Sequence, residues 1–136
     1  AIQILFTVIV MPDIRIAIVD DHLQFGEALS VLLELESDVQ VVALLENGEA
    51  ACEHAAAEGA DVYLVDHRLP GMNGAEVTAK ILDSDPMACV IALSAAATDL
   101  DTQSMLQAGA LDCFLKDQDL GVMISKIKAA AATTEA

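Results

Sequence analysis

The sequence predicts an α/β domain: a doubly wound, five-stranded parallel sheet with helices on both faces. Three observations carry this. From Ile14 onward, short β-branched runs alternate five times with stretches of helical apolar spacing. Several of the strand runs are apolar throughout, as strands covered on both faces are. Five such units cannot close an eight-stranded barrel, so the open sheet is expected, and right-handed crossovers leave few topologies.

The elements follow in order. "IRIAIV" from Ile14 is the first strand, and from Leu23 to about Leu35 the residues Phe25, Leu29, Leu32 and Leu33 mark a helix. "VQVVALL" is the second strand; "EAACEHAAAE" is an Ala-rich helix with Asn47 as its N-cap and Gly59 as its stop. "DVYLVD" is the third strand, and a helix from about Gly74 to Leu82 ends before Pro86. "ACVIALS" is the fourth strand, followed by a helix for which Thr98 and Asp101 form a capping box and Gly109 a stop. "LDCFLK" is the fifth strand. The last helix carries Leu120, Met123, Ile124 and Ile127 on one face and fades into "AAAATTEA", a frayed tail or the start of a linker.

The chain has 136 residues, which fits one domain. Its net charge of -16, with 6 Lys and Arg in all, argues against direct nucleic-acid binding, because phosphate backbones need cationic partners. No apolar run is long enough to cross a bilayer. The three cysteines, Cys52, Cys89 and Cys113, have no metal-ligand spacing and are expected as buried free thiols in a reducing cytoplasm. "AIQILFTVIV" precedes Met11; it is either an extra strand or, the favoured reading, an extension upstream of a reading frame that starts at Met11. The expected boundaries are 1–12 for this extension, 13–131 for the domain, and 132–136 for the tail.

The polar residues at the strand ends carry the chemistry. The first strand ends in Asp20 and Asp21, the third in Asp66, the fourth in Ser94 and the fifth in Lys116. In a parallel sheet these ends lie along one edge, and open α/β sheets bind ligands in the crevice outside it. Three carboxylates gathered there repel one another unless a cation intervenes, and an oxygen-only ligand set suits Mg²⁺. A lone lysine suits a phosphate as a point charge, and a serine hydroxyl can hydrogen-bond a further phosphate oxygen. An aspartate in such a set can itself carry a phosphoryl group. Each residue has a plainer reading alone: Asp21 as a helix cap, Asp66 as a turn residue, Lys116 as a solvated lysine. The pattern rests on their joint placement. His22 reads as a solvated first-turn residue and His54 as exposed. For His67, a role in tuning access to Asp66 is the weaker reading. No Cys or His spacing suggests zinc.

"IAIVDDH", "YLVDHRLPGMNG", "IALSA" and "GALDCFLKD" resemble the motif regions of response-regulator receiver domains of bacterial two-component signalling, over about Ile14 to Ala131. The resemblance implies the flavodoxin-like strand order 2-1-3-4-5. It implies Asp66 as phosphoacceptor, with Asp20, Asp21, Asp66 and the backbone carbonyl of Arg68 holding Mg²⁺. Ser94 and Lys116 would bind the phosphoryl group. The implied donor is a phosphohistidine on a sensor histidine kinase or a phosphotransfer protein, and the domain catalyses only its own phosphorylation and dephosphorylation. A cytoplasmic location, a phosphorylation-dependent dimer, and a C-terminal DNA-binding output domain lying outside this chain belong to the same expectation. Phosphorylation would bias a two-state surface on the last two helix–strand units.

Three departures stand out. Cys113 occupies the position of the usual switch aromatic, with Phe114 on the opposite face of the strand. Arg68 puts a cation at the mouth of the site, to pair with an acid or alter water access. Lys116 precedes Asp117 rather than proline, so no cis bond is expected there, and Lys-Asp resembles receivers with LuxR-type output domains. Three alternatives compete. An aspartyl-nucleophile phosphatase or phosphotransferase would carry D-x-D where this chain has Asp66-His67-Arg68. A degenerate, scaffolding receiver is disfavoured because the acidic pair, acceptor, serine and lysine are all present. A flavin-type cofactor carrier would want a Ser/Thr/Gly-rich loop after the first strand, where Asp20-Asp21-His22 stands instead.

Overall fold

The structure is a computed structural model that describes residues 13–94 and 99–135, with side chains as far as 132. The expected N-terminal extension and the capping role of Thr98 lie outside the described residues. The strands are β1 (Ile14–Val19), β2 (Val39–Leu45), β3 (Val62–Asp66), β4 (Cys89–Ser94) and β5 (Asp112–Leu115). The helices are α1 (Leu23–Leu33), α2 (Gly48–Ala57), α3 (Gly74–Ser84), α4 (Leu100–Gln107) and α5 (Leu120–Glu135). The strands form one parallel sheet in the order β2-β1-β3-β4-β5, the expected topology.

β1, β3 and β4 are inner strands, and β3 and β4 are buried along their whole length. Alternate residues feed two cores. Ile16, Ile18, Leu64, Ile91, Leu93 and Phe114 pack with α1 and α5 on one face. Ala17, Val19, Tyr63, Val65, Val90 and Ala92 pack with α2, α3 and α4 on the other. The small residues of β1 and β4 on the second face leave room for Val77 and Ile81 of α3 and Met105 of α4, all fully buried. Replacing Ile81 with Ala would cost about 2–5 kcal/mol, the usual range for such a cavity.

The caps refine several boundaries. Asn47 caps α2 by accepting from Ala50 N at 2.8 Å, and Gly59 ends it at φ +73°. α4 is capped by Asp99, whose Oδ1 accepts from Asp101 N at 2.8 Å and Thr102 N at 3.4 Å. Asp99 therefore holds the cap position, and Asp101 donates its backbone amide instead of closing a box. α1 starts after His22, which makes no side-chain cap bond, so Asp21 is not its cap. α5 continues to Glu135 through the alanines where apolar spacing fades, because alanine favours the helix and Ala130 and Ala131 are buried against the α1–α5 core. Of the three thiols only Cys89 is buried; Cys52 and Cys113 are partly exposed, and none of the three is in a disulfide. No helix among the described residues is long and apolar enough to cross a membrane.

Candidate functional site

The parallel ladders run past the ends of the strands and fix the residues that follow. Asp20 N donates to Leu45 O at 2.9 Å, His67 N to Leu93 O at 2.9 Å, and Lys116 N to Ser94 O at 2.9 Å. Side chains just beyond β1, β3 and β5 are thereby set on the sheet edge as firmly as those within it. The loop after Asp66 turns sharply. Gly71 sits at φ +80°, where a side chain is strained, and α3 begins with Gly74 packed close under the edge. A Cβ on Gly74 would lie 3.1 Å from the Asp66 carbonyl oxygen and 2.6 Å from the Met105 sulfur.

The sheet edge brings together Asp20, Asp21, Asp66 and Lys116 as the sequence order implies. Asp20 and Asp66 are 3% and 2% exposed, so their carboxylates are all but removed from water, while Asp21 is exposed. Lys116 Nζ donates to Asp20 Oδ2 at 2.9 Å and lies 3.6 Å from Asp66 Oδ1. The same ammonium lies 4.6 Å from the centroid of the Phe25 ring, a cation–π contact that holds the lysine stem against α1. Burial pushes the Asp66 carboxyl above its usual range, and Asp20 pushes the same way; Lys116 and His67 pull it back. The edge thus concentrates negative charge that one ammonium only partly offsets.

One ligand atom each from Asp20, Asp21, His22 and Asp66 falls within 4.8 Å of the others. The oxygen donors fit a hard divalent ion. His22 enters this cluster although its side chain is 71% exposed: its Nδ1 lies 3.1 Å from Asp20 Oδ1 and 3.4 Å from Asp21 Oδ1, and its backbone N donates to the same Asp20 oxygen at 2.8 Å. It orients the Asp20 carboxylate.

Ser94 ends β4 fully buried, and its Oγ accepts from Thr102 Oγ1 at 2.7 Å. Thr102, on α4, was not a sequence candidate; a threonine in a helix signals nothing until packing brings it under a strand end. Cys113 points to the α3–α4 face and Phe114 into the α1–α5 core, as expected from strand alternation. Arg68 pairs with acids, one of its two expected roles: Nε donates to Asp101 Oδ2 at 3.1 Å and a terminal nitrogen to Asp99 Oδ2 at 3.3 Å. No cis peptide bond occurs among the described residues, Lys116–Asp117 included.

His67 is more engaged than its sequence position suggests. It is 8% exposed, and its Nδ1 lies 3.0 Å from both Asp66 Oδ1 and Leu93 O, while Nε2 faces Asp99 Oδ2 at 3.8 Å. His54, expected at the surface, has a side chain only 8% exposed. Its Nδ1 lies 2.9 Å from the hydroxyl of Tyr63, and the two rings meet edge to face. An Ala-rich helix gives no clear apolar stripe, so nothing in its spacing assigned His54 to the inner face.

A doubly wound sheet of this order, with buried carboxylates and a lysine at its C-terminal edge, is the arrangement of a receiver domain. The chain belongs to the response regulator receiver domain family, whose sequence profile matches residues 16–128. The transcriptional regulatory protein DegU of Brevibacillus brevis is 34% identical over 118 residues, covering 87% of this chain and 50% of DegU. The chain therefore spans about half the length of that relative. The signal receiver domain of the response regulator NarL from Mycobacterium tuberculosis superposes with a TM-score of 0.82 at 32% identity, covering 90% of this chain and 98% of that one. A receiver domain of the sensor histidine kinase PA1611 from Pseudomonas aeruginosa PAO1, solved with magnesium coordinated in its active-site cleft, shares the fold. Its TM-score is 0.79 at 24% identity, over 88% of this chain and 98% of that one.

Proposed function

We propose that this receiver takes a phosphoryl group onto Asp66 from a phosphohistidine on a sensor kinase or phosphotransfer protein. The carrying observation is the pair of buried carboxylates, Asp20 and Asp66, facing one ammonium at 2.9 and 3.6 Å. Asp66 attacks phosphorus through a carboxylate oxygen, the bond to the donor nitrogen breaks, and the donor imidazole leaves with that electron pair. Lys116 turns from Asp20 toward the incoming oxygens, and the Ser94 hydroxyl donates to another. Asp20, Asp21, Asp66 and the Arg68 carbonyl are the residues to hold Mg²⁺, which when bound supplies charge neutralisation for the transferring group. The cluster of ligand atoms within 4.8 Å supports this, and the magnesium in the PA1611 receiver is consistent with it. Self-dephosphorylation at the same site completes the cycle. The longer DegU relative favours a C-terminal transcriptional output domain as the part that responds, in a cytoplasmic regulator that changes its partner or its dimer contacts on phosphorylation.

The test is phosphorylation by acetyl phosphate with Mg²⁺, read on intact protein. One hydroxylamine-sensitive phosphoryl group per chain is expected, absent in Asp66→Asn and absent with EDTA. An unmodified wild-type chain, or equal labelling of Asp66→Asn, would overturn the proposal. Steady turnover of diverse phosphate esters would favour the phosphatase alternative instead.

A further inference from the structure

The N-terminal ends of the strands, opposite Asp66, border an open cavity of about 330 Å³ lined by Arg15, Glu58, Gly59, Asp61, Asp85 and Met87. Three carboxylates there face one guanidinium. Asp61 is committed to the fold, since its Oδ2 accepts from Arg15 N at 2.8 Å and fixes the start of β1. Asp85 follows the last turn of α3 and reaches across to the end of α2 over Gly59. A Cβ on Gly59 would lie 2.9 Å from Asp85 Oδ2, and the backbone there is at φ +73°, so glycine is what permits the approach. Tyr63 senses the same charges: burial first, then Asp85 and Glu58, push its phenol up, while Arg15 opposes them.

Acids around a cavity alone would be a solvated surface. His54 changes the reading. Its side chain is only 8% exposed, and Nδ1 lies 2.9 Å from the Tyr63 hydroxyl. Nε2 is buried and has no hydrogen-bond partner among the described residues, which is a costly state for a ring nitrogen. It faces the cavity wall: Glu58 Oε2 is 3.3 Å away, one helical turn along the chain. A histidine that binds a metal through one nitrogen is held by a hydrogen bond at the other, and Tyr63 supplies that bond here.

We propose a second divalent-cation site at this end of the sheet, in which His54 Nε2 and Glu58 bind a borderline ion such as Zn²⁺, Asp85 turns in as third ligand, and water completes the shell. The ion takes the place of the missing partner of Nε2. The ring proton then sits on Nδ1, where the Tyr63 oxygen accepts it. One imidazole with two carboxylates suits Zn²⁺ better than Mg²⁺, which prefers oxygen ligands throughout. The ligands come from two elements and include one histidine, so no Cys or His spacing marks the site. A bound ion would clamp the end of α2 to the end of α3. It would lie beside β3, the strand that carries Asp66 at its other end, and would use none of the residues assigned to Mg²⁺.

The test titrates Zn²⁺ into the full chain in excess Mg²⁺, which keeps the carboxylate edge filled, and follows the ring nitrogens of the three histidines by NMR. The His54 Nε2 resonance is expected to move first, reaching its end point at one Zn²⁺ per chain, while His22 and His67 stay in place. Tyr63→Phe leaves every ligand and should weaken Zn²⁺ binding about tenfold, the low end of what losing the partner behind a metal-bound histidine costs. Glu58→Gln removes a ligand from an exposed position and should weaken it further. Zn²⁺ should raise the melting temperature of wild type and leave that of Glu58→Gln unchanged. Glu49→Gln, at the other end of α2, is the control and should bind as wild type does. Should Tyr63→Phe fail to fold, the exposed Glu58→Gln carries the test. A shift at His22 ahead of His54, or equal Zn²⁺ affinity in wild type and Glu58→Gln, would overturn the site. A chain that binds no Zn²⁺ in excess Mg²⁺ would overturn it too, and each of these results leaves the phosphoacceptor reading intact.

Discussion

Lys116 donates to Asp20 at 2.9 Å across a sequence separation of 96 residues, so the ends of β1 and β5 are tied by a partly buried ion pair beside the end of β3. In the metal-free protein this ammonium takes part of the role that a divalent ion would take. Replacing Lys116 with Met should therefore have two opposite effects. The metal-free fold loses about 1–3 kcal/mol, because Asp20 stays buried without its partner. Mg²⁺ binding tightens several-fold, because the competing cation is gone. Thermal melts and calorimetric Mg²⁺ titration check both, and unchanged Mg²⁺ affinity would contradict the competition.

Asp66 should cost the metal-free fold stability. Burial and Asp20 raise its pKa, so the fold favours its protonated form. Its contribution is complete below the ordinary carboxylate pKa and is lost as pH rises through the raised value. At neutral pH the ionised group is a net penalty, and Asp66→Asn should raise the metal-free Tm by about 3 °C. Saturating Mg²⁺ should then stabilise the wild type and leave Asp66→Asn nearly unchanged. A lower Tm in the metal-free variant would show that the Lys116 and His67 contacts outweigh the burial.

Tyr63 sets a prediction at the other end of the pH scale. Its phenol is fully buried in the α2–α4 core and its pKa is pushed up to about 12 by burial first, with Asp85 adding to it. The sign follows from the folded pKa lying above the ordinary value of 10.0. The contribution is whole below pH 10 and is lost between pH 10 and about 12. Denaturant titrations should show about 2 kcal/mol lost across that window in wild type beyond any loss in Tyr63→Phe. Parallel curves for the two proteins would contradict it.

Gly74→Ala tests the close approach under the acceptor. The added Cβ would meet the Asp66 carbonyl oxygen at 3.1 Å and the Met105 sulfur at 2.6 Å. Met105 can move, but the backbone of Asp66 can yield only by shifting the acceptor. A loss of about 1–2 kcal/mol is expected, with slower phosphorylation than the stability loss explains. A variant with the wild-type rate would mean that the turn absorbs the methyl group without disturbing Asp66.

The frame of the site could be read from sequence because it depends on element order alone. Once β1, β3, β4 and β5 are parallel neighbours, the residues at their ends, Asp20, Asp66, Ser94 and Lys116, share an edge whatever the loops do. The residues that were missed depend on helix placement. Thr102 reaches Ser94 only because α4 packs with its first turn against β4, and no periodicity encodes that contact. His67 is buried because the ladder extends one residue beyond β3 through its bond to Leu93, which an apolar pattern ending at Asp66 does not reveal. The α4 cap is Asp99, whose carboxylate reaches two amides of the first turn, a role that the spacing of apolar residues does not mark. His54 turned inward because Tyr63, on the face of β3 opposite the α1–α5 core, offers its hydroxyl to a helix otherwise lined with alanine.

The most direct measurement of the central claim is reductive trapping of the phosphorylated chain. Borohydride converts an aspartyl phosphate to homoserine, and peptide mass spectrometry then locates it. After acetyl phosphate and Mg²⁺, the conversion should fall at Asp66 alone, with Asp20 and Asp21 unmodified. Conversion at Asp20 or Asp21, or none at any aspartate in a chain that binds Mg²⁺, would contradict the account.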